Sequence, residues 1–480
     1  MSSATLKDLP AEIIDAIALQ LQPVDCISLR LVCSALAVKS IYAFKNVCFG
    51  TRRHMLTEHS LSGLLELSRY KDFGLAIKTL MIGTERYEER YADPMLNNAL
   101  AALSPDQKDA HAAEVRKQRD GSLDSPILAS ALSNMPNCHS IEIVGNHIPA
   151  STAYQHYSPS EELVYHSWGA RTLANKTGIF PPTVSGREKG VAGYASGVFQ
   201  TVLDALTLAA DTTASVTSLA MRVRYFQGIS INALQIPLPL SSSFITTTTT
   251  QLDPSRRALA PLRSLALTFD ALATTPPFPT AATFDRAHES ARSILAALPA
   301  LRRLRLSAGY DIAHGYVYRV FTDTAWFARV TALSLNDCKC QRWDVPSAIL
   351  AHCPALRKLT LANFSAPEGW FPSFLGQAVG HAALEVMRVT YIMEQGAWAG
   401  VEGPEVVLGA VSPFVERVRA KDGSFRALEC HREEGCGDLS EHVSWRVAGS
   451  PGWGTTNVFQ LRGVYDAAAI HWPDEDLFEP

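Results

Sequence analysis

The 480-residue sequence has no surplus of positive charge: 43 Lys and Arg stand against 47 Asp and Glu, a formal net charge of −4. Nucleic acid and acidic membranes normally call for a basic excess, so neither is expected as a partner. No apolar run approaches the roughly 18 residues that a membrane span needs. Met1 to Asp8 lack the basic-then-apolar pattern of a signal peptide. Cysteine is sparse and odd in number, nine in all, which points to reduced thiols in the cytoplasm or nucleus rather than a disulfide framework.

Motifs that carry chemistry are also missing. Cys338-Lys339-Cys340, His352-Cys353 and Cys430-His431 with Cys436 lack the paired C-x₂-C spacing of a structural zinc site. Gly186, Gly190, Gly193 and Gly197 form neither a dinucleotide fingerprint nor a P-loop. There is no G-x-S-x-G elbow and no H-E-x-x-H. No catalytic residue, metal or cofactor is expected, and the chain does not read as an enzyme. The competing possibility is an enzyme whose site is assembled from scattered residues of 146–260.

What is present is core material. Hydrophobic residues make up 47% and charged residues 19%, the balance of a folded protein. Leu9 to Leu21 carry a helical signal, with Pro10 suited to a first helical position, Glu12 facing the positive end of the helix dipole, and Ile13, Ile17 and Leu21 on one stripe beside Ile14. After the break at Gln22-Pro23, a second helix is expected over Asp25–Cys33 and a third over Ser34–Tyr42. Three such helices bury little surface alone and call for a partner or neighbouring domain.

The run Leu9-Pro10-x-Glu12-Ile13-Ile14-x-x-Ile17-x-x-x-Leu21-x-x-x-Asp25-x-x-x-Leu29-Arg30-x-Val32-Cys33 resembles the F-box pattern position by position. That resemblance implies docking to a Skp1-type protein and, through it, to a cullin. Carried over by position, Leu9, Pro10, Ile13, Ile14, Ile17, Leu21, Leu29, Val32 and Cys33 would be the contact residues. Many family members place an aromatic three residues after the Cys, where this chain has Leu36. The other possibility is an amphipathic hairpin that caps a larger domain.

Further along, one short phrase recurs. It appears as Leu262-Arg263-Ser264-Leu265-Ala266-Leu267 and Leu301-Arg302-Arg303-Leu304-Arg305-Leu306. It returns at Val330 to Leu335, Leu356 to Leu361 and Leu384 to Val389, with weaker copies at Cys138 to Ile143 and Val216 to Met221. First positions 262, 301, 330, 356 and 384 give steps of 39, 29, 26 and 28 residues. Apolar-x-x-apolar-x-apolar at nearly this period resembles the strand half of a leucine-rich repeat. Helical stretches and Pro-containing turns such as Leu298-Pro299-Ala300 and Cys353-Pro354-Ala355 lie between the phrases. A compact α/β fold with parallel strands is the alternative.

The expected fold class is α/β, a three-helix F-box followed by an irregular leucine-rich-repeat-like solenoid. The expected map is 1–50 for the F-box, 51–122 for a helical linker or start of the solenoid, and 123–411 for the solenoid. Insertions fall at about 146–197 and 237–256, and 412–480 forms a cap with an acidic tail. The resemblance implies a substrate adaptor of a Skp1–cullin–F-box ubiquitin ligase, or a Skp1-bound scaffold outside a ligase. Exposed strand positions Arg303, Arg305, Ser334, Lys358, Thr360 and Arg388 are the weak candidates for contact with an unknown protein substrate. Several are basic, which hints at an acidic or phosphorylated partner, against the alternative of solvated charges with no role.

Overall fold

The computed structural model describes residues 5–91, 94–145, 167–181, 191–211, 216–223, 254–269, 297–308, 325–339, 349–367, 381–384, 386–395, 407–411, 415–418 and 429–430, and Ile229, Ile294, Leu295, Phe374 and Gln377 singly. These residues fall into two units, the first running to Val223 and again over 254–261, the second made of Ile229 and the residues from Leu262 to Cys430.

Four helices open the first unit: α1 Ala11–Ala18, α2 Pro23–Val32, α3 Ser34–Lys39 and α4 Ile41–Phe49. Pro10 sits just outside α1 as its N-cap, and Pro23 opens α2. The expected third helix is two, because Ser40 leaves helical geometry at φ −98° and ψ 15° while its hydroxyl donates to Leu36 O at 2.7 Å. A side chain that bonds back to its own turn competes with helix continuation.

Strand β1 (Thr51–Met55) follows at once, then α5 (Glu58–Arg69), α6 (Lys71–Gly74) and β2 (Thr79–Gly83). Next come α7 (Pro94–Ala101), α8 (Pro105–Asp120), α9 (Asp124–Ser133) and β3 (Ser140–Val144). Helices α10 (Ala170–Thr177) and α11 (Val191–Leu208), β4 (Ser218–Arg222) and α12 (Pro254–Leu259) complete the unit. The four strands pair in parallel, and one rung reads His54, Ile82, Ile143, Met221. Helices α5, α9, α11 and α12 pack side by side in that order. Each strand therefore has a helix that returns the chain to the next strand, as parallel pairing requires. The charged stretch Lys108–Asp120 is the body of α8, opened by a reciprocal Ser104–Gln107 cap and ended by Gly121 at φ 51°. That left-handed geometry favours glycine.

The second unit holds β5 (Ser264–Phe269), β6 (Arg303–Ala308), β7 (Ala332–Lys339), β8 (Lys358–Pro367) and β9 (Val386–Gln395), all parallel. Two short strands, β10 (Val407–Val411) and β11 (Val415–Val418), pair antiparallel with β9, and β12 (Glu429–Cys430) pairs with β11. Adjacent strands align the repeated phrase without slippage: Leu265, Leu304, Leu333, Leu359 and Met387 share one rung, and Leu267, Leu306, Leu335, Leu361 and Val389 another. The phrase's first residues, Leu262, Leu301, Val330, Leu356 and Leu384, lie two positions before the strands and are buried.

The parallel strands begin at β1, within the stretch 51–122 expected as a helical linker or the start of the solenoid, and this stretch contains two strands as well as helices. The stretch 146–197 contains α10 and the start of α11, while 146–166 and 182–190 lie outside the described residues. Of 237–256, only 254–256 are described, as the start of α12; the acidic tail also lies outside. Leu333 is 2% exposed between Leu304 and Leu359. Leu333→Ala is expected to cost roughly 2–5 kcal/mol, measured by urea denaturation; a loss below about 1 kcal/mol would show the ladder to be loosely packed.

Candidate functional site

The N-terminal helices carry the strongest sequence motif, and their packing leaves apolar surface uncovered. Ala18, Cys26 and Ala43 form a small core, with Leu21, Leu29, Phe44 and Val47 half-buried against it. Asp15 ties α1 to α4 by accepting from Ala43 N at 3.0 Å. Lys39 on α3 reaches back and donates to Leu9 O at 2.7 Å and Lys7 O at 2.9 Å, so the Leu9-Pro10 segment is held against the third helix. Arg30 lies 4.2 Å over the Phe44 ring and donates to Ala37 O. The Thr5 hydroxyl and amide both donate to Asp8 and hold its carboxyl below the ordinary range. Burial pushes the Cys48 thiol up to about 12 and raises Cys26 as well, keeping both neutral.

The expected contact residues divide into three groups. Pro10, Ile13, Ile17 and Val32 are exposed, with Ile13 at 47%, Ile17 at 40% and Val32 at 70%. Leu9, Leu21, Leu29 and Cys33 are half-buried. Ile14 is a correction: at 0% exposure it belongs to the interior of the module, because it faces inward from α1 beside Ala18. Leu36, the departure from the aromatic pattern, is likewise buried. Leu31 at 80%, Val38 and Tyr42 are exposed apolar residues that sequence reasoning did not place among the contacts.

The expected substrate positions lie on one face of the second unit's sheet. Arg305, Ser334, Thr360 and Arg388 share a single rung, and Arg303 and Lys358 share the rung before it. Lys358 is exposed and Arg303, Arg305 and Ser334 are half-buried. Thr360 is a second correction, since it is only 8% exposed between its neighbours. With the Asn336 amide turned so that its oxygen faces Arg305, it accepts from Nε at 2.7 Å and from the guanidinium's terminal nitrogen at 2.8 Å. The same amide donates to Ser334 Oγ at 2.9 Å, so this part of the face is internally braced.

A buried polar cluster in the first unit had no signal in the sequence. Arg53 on β1 donates to Glu85 Oε1 at 2.7 Å, and Ser167 Oγ donates to the same oxygen at 3.0 Å. Both side chains of the ion pair are almost fully buried. Gly83 makes room for it: a Cβ there would lie 1.7 Å from Glu85 Oε2. Beside it, His54 is buried and its Nδ1 sits 2.9 Å from Ser60 O, which places the ring proton on Nδ1. Among the described residues no group of three or more His, Cys, Asp or Glu is placed to hold a metal, and no helix is long and apolar enough to cross a membrane.

No family model matches the chain. No curated protein matches it either. Among solved structures, a Bacteroides fragilis protein is similar at 10% identity and a TM-score of 0.30, over 74% of this chain and 76% of its own. The leucine-rich repeat-containing protein LegL7 from Legionella pneumophila is similar at 13% identity and a TM-score of 0.23, over 74% of this chain and 92% of its own. At such TM-scores neither likeness bears on function. The repeated strands and their leucine rungs stand on the chain's own register.

Burial, and the neighbouring Arg52, hold the His54 imidazole down to about 3, against an ordinary value of 6.5. Between those values the unfolded chain binds a proton that the folded chain refuses. His54's contribution to stability is therefore full above about 6.5 and is lost as pH falls toward 3. His54→Gln is expected to lose less stability than the parent between neutral pH and about pH 5, compared by urea midpoints at the two pH values; equal losses would assign the acid sensitivity to other groups.

Proposed function

We propose that this chain is an F-box adaptor: its N-terminal helices dock a Skp1-type protein, and its repeat strands hold a protein substrate. The observation that carries the docking half is the division of one short motif into two faces. Ile14, Ala18 and Cys26 fill the module's interior, while Ile13, Ile17 and Val32, at motif positions, stay exposed. Apolar side chains left in water beside a formed core mark a site of association. Lys39 adds to this by fixing the Leu9-Pro10 backbone in place before any partner arrives, which lowers the ordering cost of binding.

Through such a partner the chain would join a cullin and a ubiquitin-conjugating machinery, in the cytoplasm or nucleus. The adaptor would do no bond chemistry of its own. It would raise the effective concentration of a substrate beside the loaded enzyme and orient it. A few apolar anchors dominate interfaces of this kind, each costing roughly 2 kcal/mol or more on truncation. Leu9→Ala with Pro10→Ala, and separately Val32→Asp, are expected to abolish co-purification with a Skp1-type protein while circular dichroism stays unchanged. Undiminished capture by both variants would sink the docking model. Capture of Skp1 without a cullin would favour a scaffold outside a ligase.

A further inference from the structure

The second unit concentrates positive charge at one edge, against the sign of the whole chain. The edge lies where the chain enters strands β5 to β8. Arg302 N donates to Arg263 O at 2.9 Å, Thr331 N to Arg302 O at 2.8 Å, and Arg357 N to Thr331 O at 2.8 Å. These bonds set Arg263, Arg302, Thr331 and Arg357 side by side on successive strands, and Lys358 follows on β8. Arg329 joins them across the turn, donating to Pro299 O at 3.1 Å. Arg263, Arg302, Arg329, Arg357 and Lys358 are all exposed.

Among the described residues of this unit the acids are Asp337, Glu394, Glu416 and Glu429. Asp337 and Glu394 lie far along β7 and β9 from the entry edge, while Glu416 on β11 stands opposite Arg388 of β9 and Glu429 of β12 in the ladder. Among the described residues the edge thus gathers five exposed cations in a chain of net charge −4.

We infer that this edge is a docking surface for an extended, Asp- and Glu-rich segment of a partner protein. Neighbouring strands lie about 4.8 Å apart, and an extended peptide turns every second side chain to one side at roughly 6.6–7 Å. Long Arg side chains absorb that difference, and their planar forks donate to carboxylates two bonds at a time. A nucleic acid fits less well. Base binding uses exposed aromatic platforms, and Phe327, two residues before Arg329, is buried. Binding at this edge does not depend on what the N-terminal helices dock.

The test uses the full chain and a dye-labelled alternating Glu–Ser peptide, read by fluorescence anisotropy. The parent is expected to bind it more tightly than a Gln–Ser peptide, and added salt should weaken the complex. Arg302→Glu with Lys358→Glu should weaken it by about tenfold or more, whereas Arg302→Lys with Arg329→Lys should retain it. The Leu9→Ala and Pro10→Ala variant should bind the peptide like the parent, so this surface and the N-terminal docking site fail independently. Equal affinity for the Gln–Ser peptide, an unchanged charge-reversal variant, or tighter binding of a single-stranded oligonucleotide of matched charge would overturn the inference.

Discussion

Parallel pairing in register is the constraint on which the rest of the structure depends. Each strand sets its equivalent residue opposite that of the next, so a leucine at one phrase position finds leucines on both sides, as Leu333 does between Leu304 and Leu359. Because side chains alternate across a sheet, a slip of one residue would send that whole row to the polar face. The same register that buries the leucines therefore fixes the polar residues between them. Arg305, Ser334, Thr360 and Arg388 fall on one rung because their leucine neighbours do.

The first unit uses the same pairing with less regular material. In β1, Arg52 and His54 stand at rungs occupied by Leu80 and Ile82 in β2. Arg52 stays half-buried over the Phe49 ring at 5.2 Å, and His54 enters the interior as a neutral imidazole. Arg53, between them, is buried on the strength of Glu85. Replacing apolar residues by polar ones at these places is tolerated only where each finds a partner. That need binds β1 to β2 and to the segment around Ser167.

Strands β5 to β9 were legible because their phrase repeats almost unchanged, and alternation is a property of neighbours two apart. β1 was not legible, since Thr51-Arg52-Arg53-His54-Met55 has no leucine cadence to detect. In the N-terminal helices, periodicity located the apolar stripe but could not divide it. Ile13 and Ile14 are adjacent in sequence, and only the packing of α1 against α3 and α4 decides that one is exposed and the other enclosed. The break at Ser40 was equally invisible, because it rests on a hydroxyl bonding back to Leu36.

The sequence by itself determined the first two helices of the N-terminal module, the leucine-spaced strands and the turns that separate them. Each of these depends on residues a few positions apart. The tertiary structure alone decided which distant groups meet: Arg53 with Glu85 and Ser167, Lys39 with the Leu9 carbonyl, and the row of Arg263, Arg302 and Arg357. Those encounters are set by register between strands tens of residues apart and by helix packing, and no local pattern encodes them.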